Sequence, residues 1–488
     1  LQAGVSGIGA DFDQPVRGSL NGPAAAEHAP TWRNRDRSLP WARGQIFALA
    51  LAGFVISLLA FWPGFMEFDS FDQYAQAIGK EHLNDWHPVI LVFVWKLLIF
   101  VHDGPQLMLL LQLLLYWSGF LYLALRLLQR DKPWLAVAAI LVAFSPFLVN
   151  FAGVLWKDTQ LALAFFWAAL LLAFAPRNLT TAVTSLALIS YGLAVRHNGI
   201  TAALPLLILW SNEFAVSLHR GNRFGALFCA TSLAATLFLI NFVVSEAVIV
   251  ERTSQLRHQM LNEIAFIQCH ANSPSSLSNF FDSYGGVALQ AMMSEQERQT
   301  ALCGQIEALA SSGDTDDIFE KKLIKNPSNN DLDLVPLWLE NVSQNPLAYL
   351  QYRLKVFNAF LRAVGYSQPY YVFCDGAEPN PFPERFSSAP SNPFGLSTFL
   401  TSYVVVAAKW LDLFFRPFFW LITLTVTAAL WPWTRNATAS LVCLSGLFYL
   451  GAYLLALPAP DFRYGYWAIF AQILSGFLLL SGPPRRTT

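Results

Sequence analysis

The chain has 488 residues, of which 55% are hydrophobic and 13% charged, with a formal net charge of −1. Soluble domains carry about 25% charged residues, and a near-neutral chain offers no field for nucleic acid. An ordinary soluble enzyme and a nucleic-acid binder are therefore excluded. Apolar runs of about 18–22 residues recur, long enough to cross a bilayer. The fold class expected is an all-α polytopic membrane protein of about ten transmembrane helices, with outer juxtamembrane helices and one periplasmic domain. A transmembrane barrel would show alternating segments of about ten residues instead.

Residues 1–43 are polar and rich in Gly, Ala and Pro. They read as a cytoplasmic tail, with 1–38 largely disordered, and the apolar run that follows is too long for a signal peptide. Ten spans are placed at 44–64, 105–126, 134–152, 158–176, 179–194, 199–214, 224–247, 416–433, 437–456 and 465–482. Basic residues orient them. Arg33, Arg35, Arg37 and Arg43 precede the first span. Arg126, Arg130 and Lys132 follow the second, and Arg177, Arg220, Arg223, Arg435, Arg485 and Arg486 come later. Ten spans put all of them on the cytoplasmic side, together with both termini and the tail 483–488. The run 88–101 is short and contains Lys96, so it reads as a helix at the outer face.

The first loop, 65–104, holds Glu67, Asp69, Asp72, Asp85 and His87. It opens a transmembrane module, 44–247. Residues 248–415 form the one long polar segment, expected as a periplasmic domain, and the remaining spans occupy 416–482. In the polar segment Asn345-Pro346 opens a helix, with Asn as cap and Pro in the first turn. Its apolar stripe, Leu347, Leu350, Leu354, Phe357 and Leu361, suits either a helix on the membrane surface or one packed inside the domain. Residues 367–393 read as irregular. Of five cysteines, Cys229 and Cys443 fall in apolar runs. Cys269, Cys303 and Cys374 lie in the polar segment, where an oxidising compartment permits one disulfide, with Cys269–Cys303 preferred.

The other outer connections are a few residues long and carry compact charged clusters. These are Lys157-Asp158, Arg196-His197, and Asp461 with Arg463 and Tyr464. An unpaired charge at bilayer depth costs up to about 2.5–3.5 kcal/mol. Each cluster also has a plainer reading. Lys157 and Asp158 make an interfacial ion pair, Arg196 and His197 snorkel to headgroups, Asp461 and Arg463 cap a loop, and Glu67 and Asp72 are solvated or structural. All of them nonetheless fall on one side of a topology chosen from other residues. Cations there suit a lipid-linked phosphate, and a carboxylate beside them suits a general base acting on a hydroxyl. No Gly-rich phosphate loop is present. Carboxylates and histidines are donors for a divalent cation, but no spacing requires one and no metal ligand is assigned.

The elements PGFMEFDSFDQYAQA and NDWHPVI, followed by a short apolar run, resemble the GT-C superfamily of integral-membrane glycosyltransferases. LWKD, RHNG and PDFRY look like elements of bacterial relatives in that class. The resemblance implies a polyprenyl-phosphate-linked sugar donor and an extracytoplasmic acceptor that is a glycan, lipid or protein, at the periplasmic face of a bacterial inner membrane. It places Asp69 at the catalytic acid. This chain has Asp69-Ser70 where many members have Asp-Glu, so Asp72 is a rival. The expected roles are Asp69 as base; Arg196, Lys157 and Arg463 on the donor phosphate; and His87, His197, Asp158, Asp461 and Tyr464 in positioning. The rival functions are a polymerase or ligase using diphosphate-linked donors, and a transporter or flippase.

Overall fold

A computed structural model describes residues 35–196, 198–215, 223–251, 255–270, 295–312, 334–366, 379–387, 392–457 and 459–482. The chain divides into Leu1–Ala42 and Arg43–Thr488. Of the first unit only the opening turns of a helix are described. Residues 35–38, expected to be disordered, belong to that helix; the rest of the expected tail and residues 483–488 lie outside the described residues.

The regular secondary structure of the described residues is helical, apart from isolated bridges at Phe65–Val154 and Asn84–Glu251. In order the helices are α1 (Arg35–Phe61), α2 (Phe68–Ala77), α3 (Val89–Val101), α4 (Gln106–Gln129), α5 (Pro133–Ala143), α6 (Pro146–Ala152), α7 (Lys157–Phe174), α8 (Leu179–Val195) and α9 (Gly199–Trp210). They continue with α10 (Arg223–Val248), α11 (Gln255–His270), α12 (Glu295–Ser312), α13 (Leu334–Gln344), α14 (Pro346–Leu361), α15 (Leu396–Trp410), α16 (Pro417–Ala429), α17 (Ala437–Ala452) and α18 (Tyr466–Leu480). Proline starts several of them, at α5, α6, α14 and α16. Its missing N–H is one of those a helix start leaves unused anyway.

Every expected span falls on helical chain, but among the described residues four helices are long and apolar enough to cross a membrane, or five if one bent pair counts as a span. The bent pair is the expected span 134–152. Pro146 cannot donate into the helical ladder, and α5 and α6 meet at 55°. The helices α8, α9, α16, α17 and α18 have 12–17 residues. At 1.5 Å per residue they fall short of a hydrocarbon core of about 30 Å. Helix α3, with 13 residues, is likewise too short to cross.

Helix α7 is the axis of the bundle. Leu161, Leu163, Phe165, Phe166, Ala168 and Leu170 are all fully buried. Glycines let neighbouring helices approach it: a Cβ at Gly119 would meet Phe166 at 2.8 Å, and one at Gly192 would meet Phe165 at 2.4 Å. Gln112 donates to Ala152 O and Val154 O at 2.8 Å, and Gln160 donates to Gln112 at 3.0 Å. These bonds lie in an otherwise apolar interior, where unmet polar groups are costly.

In the polar segment Cys269 and Cys303 are bonded as expected, and Cys374 lies outside the described residues. Helix α14 starts at Pro346, but the Asn345 side chain makes no cap hydrogen bond. Its buried side is polar at the centre: Arg353 pairs with buried Glu263 of α11. Leu347, Leu350 and Leu354 face outward, whereas Phe357 is half-buried and Leu361 is buried, so only the first half of this stripe is open. Residues 379–387 are irregular, as expected, and 367–378 and 388–391 lie outside the described residues.

One short backbone pairing positions the first loop. Phe65 N donates to Gly153 O at 3.1 Å and Leu155 N donates to Phe65 O at 3.0 Å. Ser70 Oγ adds a bond to Leu155 O at 2.7 Å. Helix α2 is thereby fixed against the start of α7. Gly153 allows it, because a Cβ there would lie 1.9 Å from buried Phe61 Cγ. Gly153→Ala is expected to cost about 1–3 kcal/mol through overpacking, read as a lower unfolding temperature in detergent. An unchanged unfolding temperature would show that Phe61 moves aside freely.

Candidate functional site

Five separate stretches of sequence meet at one end of the bundle. Helix α2 brings Asp69 and Asp72, the turn before α3 brings His87, and the first turn of α7 brings Lys157 and Asp158. Arg196 closes α8, and a 3₁₀ turn at Phe462–Gly465, capped by Asp461, brings Arg463 and Tyr464. The Asp461 side chain accepts from Arg463 N at 3.0 Å, which sets the direction of that turn. Of the sequence-derived site residues, only His197 lies outside the described residues.

Arg463 is the hub. Its guanidinium lies 2.9 Å from Asp461, 3.2 Å from Asp69, 3.4 Å from Glu67 and 3.9 Å from Asp158. It stacks over Trp156 at 4.5 Å from the ring centre and stands 5.3 Å from Tyr464. A planar cation is suited to such stacking. Arg196 pairs with Asp158 at 2.7 Å, donates to Asn198 at 3.0 Å, and lies 4.2 Å over Tyr464. Arg196, Lys157 and Asp158 are buried, whereas the Asp69, Asp72, Glu67 and Asp461 side chains are partly open.

Lys157 donates to His87 Nδ1 at 2.7 Å and lies 4.0 Å from Asp69. An ammonium only donates, so Nδ1 of His87 is the acceptor and Nε2 carries the hydrogen. Burial, and then the charge of Lys157, pull the His87 pKa down to about 3, so the ring is neutral at physiological pH. Its Nε2 faces Asp72 at 3.5 Å and Asp69 at 3.8 Å, beyond hydrogen-bond length.

The two carboxyls of α2 differ. Burial alone would raise Asp69, but Arg463 and then Lys157 outweigh it and hold it well below the ordinary carboxylate range. Asp72 is pushed up to about 7, first by burial and then by its hydrogen bond and repulsion with Glu81; a bond from Gln76 at 2.8 Å opposes the shift. Paired groups whose environments drive them apart are a recurrent feature of acid–base sites.

Each of the three expected phosphate-binding cations is already engaged by a carboxylate. Five carboxyls, from Glu67, Asp69, Asp72, Asp158 and Asp461, surround them. The site is acid-rich, so an anionic ligand must exchange with a resident carboxylate. Among the described residues no group of three or more His, Cys, Asp or Glu could hold a metal ion. Sequence reasoning set Glu67 aside as solvated or structural. It missed the ring partners Trp156 and Tyr453, the latter 5.9 Å from Arg196. Trp156 adjoins the Lys157-Asp158 cluster and was findable by proximity; nothing local marks Tyr453.

No protein-family model, curated protein or solved structure matches the chain.

Proposed function

We propose that the protein is an inverting membrane glycosyltransferase that moves a sugar from a polyprenyl-phosphate donor to an extracytoplasmic hydroxyl. The observation carrying this reading is the convergence of the Asp69–Asp72 pair with Lys157, Arg196 and Arg463 beside helix ends of an apolar bundle. A carboxylate takes the acceptor proton. The acceptor oxygen attacks the anomeric carbon, and the C–O bond to phosphate breaks with its electron pair. The departing lipid phosphate gains a charge, and the cations stabilise that gain. Arg463, with several carboxylate partners, can exchange one of them for a phosphate oxygen.

The accompanying topology is ten crossings with both termini in the cytoplasm. Two opposite ends of the bundle support it. Arg130 bonds Ser481 at 2.9 Å, Asn436 bonds Leu478 O at 3.2 Å, and Arg177 pairs with Glu213. The connections read as cytoplasmic thus touch each other, as the connections read as outer do around Arg463. The Cys269–Cys303 disulfide suits an oxidising compartment for the polar segment. Short spans fit by thinning the bilayer locally at modest cost. The setting is then a bacterial inner membrane with a periplasmic site.

The test uses purified full-length protein in detergent, with no sealed compartment. Labelled polyprenyl-phosphate hexoses and pentoses are offered with soluble glycosides, lipid A and cell-envelope extract as acceptors. Label is expected to move to an acceptor, and the Asp69→Asn/Asp72→Asn double variant, purified as a monodisperse protein, is expected to move none. Label that stays on every donor, or equal transfer by the double variant, overturns the reading. Transfer only from diphosphate-linked donors favours the polymerase or ligase reading. Net movement of lipid across liposomes without transfer favours a transporter.

A further inference from the structure

We infer that the acceptor hydroxyl sits in the gap between His87 Nε2 and the two carboxyls of α2, with His87 holding its oxygen and Asp72, rather than Asp69, taking its proton. This rests on the transferase reading above. It starts from an orphaned donor. His87 is 1% exposed, and its Nε2 has no hydrogen-bond partner. Lys157 at 2.7 Å consumes Nδ1 and so commits the hydrogen to Nε2. A buried donor without a partner costs about 1–3 kcal/mol, and the nearest carboxylate oxygens to this one are Asp72 Oδ2 at 3.5 Å and Asp69 Oδ1 at 3.8 Å. One oxygen atom at ordinary hydrogen-bond distance, about 2.7–3.0 Å, can reach both His87 Nε2 and Asp72 Oδ2.

A hydroxyl meets the chemical demand of that gap. It accepts one bond from Nε2–H, gives its proton to a carboxylate, and keeps a second lone pair for attack. Asp69 is the weaker candidate for the proton because Arg463 at 3.2 Å and Lys157 at 4.0 Å already draw on its negative charge. Among the described residues no lysine or arginine pairs with Asp72; its neighbours are Gln76, Glu81, Asp69 and His87. Its elevated pKa, near 7, suits a base that works at neutral pH. In the step the hydroxyl O–H breaks toward Asp72, the new C–O bond forms at the anomeric carbon, and the old C–O electron pair leaves with the lipid phosphate. Asp69 instead holds Arg463 and Lys157 in place for that phosphate.

Two measurements test this. In full-length protein with ¹⁵N-labelled histidine, the signal lost in His87→Gln is expected to be a neutral Nε2–H ring that does not titrate between pH 6 and 8 (about the range where a free histidine does). A charged ring, or a hydrogen on Nδ1, overturns the orphaned donor whatever the protein transfers. In the transfer assay, Asp72→Asn is expected to lower kcat by about 10²–10⁴-fold with donor KM little changed, whereas Asp69→Asn raises donor KM. The rate should rise with pH as Asp72 loses its proton, and Glu81→Gln should move that rise to lower pH. Retained kcat in Asp72→Asn, or loss of the pH-dependent rise in Asp69→Asn alone, overturns the assignment while leaving the transferase reading intact. A wild type that moves sugar from none of the donors removes the transferase reading and this role together.

Discussion

Asp158→Asn is expected to destabilise the protein by about 3–5 kcal/mol, because it leaves a buried arginine without its charge partner. The Arg196 and Asp158 side chains are 8% and 1% exposed and stand 2.7 Å apart. Neither can recover the lost interaction from water. Arg463, 3.9 Å from Asp158, loses a more distant neighbour in the same substitution. Arg196→Gln should cost a similar amount for the mirror reason, since it strands a carboxylate. The double variant should cost clearly less than the two together, because residues in one ion pair are not additive. Unfolding in detergent, followed by intrinsic tryptophan fluorescence, reads all three. Singles that unfold like the wild type, or a strictly additive double, would mean that the pair is solvated and free to separate. The result matters for function, because a pair this buried fixes the end of α8 to the start of α7, and with it the floor of the site.

Arg463→Gln is expected to shift the pH dependence of stability, making the protein lose stability, relative to the wild type, as pH rises. In the native protein Asp69 is held below its ordinary value chiefly by Arg463 acting against burial. A lowered folded pKa contributes stability that is present above the unfolded value of about 3.9 and lost as pH falls below it. Asp69 by itself would therefore weaken the wild type only in acid, while Asp72, raised to about 7, and His87, lowered to about 3, add slopes of opposite sign between mildly acidic and neutral pH that the variant shares. Without Arg463, Asp69, Glu67 and Asp461 face one another with their common cation gone. Burial and mutual repulsion then raise their folded pKa values. Raised carboxyls contribute stability below their unfolded values that is lost as pH rises. Relative to the wild type at the same pH, the variant should accordingly lose stability between pH 5 and pH 8, and its sugar transfer should fall by about 10²–10³-fold, the usual effect of removing one stabiliser of developing charge. Melting curves across that range decide the point. A variant whose stability tracks the wild type at each pH would show that Arg463 does not govern these carboxyls.

Much of the architecture was legible along the chain. Runs rich in Leu, Phe and Ala marked the helices expected as spans, and proline marked the start of α14; α2, α11, α12, α13 and α15 carried no such signal and were not expected. What failed was length. The expected span 134–152 is two helices because Pro146 interrupts the ladder. Several others stop short of the usual crossing length; α17 begins where expected, with Asn436 accepting from Ala439 N at 3.1 Å, but ends at Ala452 instead of 456. The stripe of α14 was ambiguous by periodicity alone. Only the burial of Arg353 against Glu263 showed which side turns inward.

The sequence by itself determined which residues carry charge, and the expense of charge beside apolar runs reduced them to a few clusters at helix ends. Their partners were beyond it. Nothing local pairs Arg463 with Asp69 or Lys157 with His87, residues hundreds or tens of positions apart that meet only after the helices pack. Nor could adjacency separate Asp69 from Asp72, which share a helix and a chemistry. The tertiary structure divides them: one turn of α2 points Asp69 at two cations, while Asp72 is left beside Glu81 and a neutral imidazole. Charge is a property of the residue, but the proton affinity of a carboxyl is set by what surrounds it.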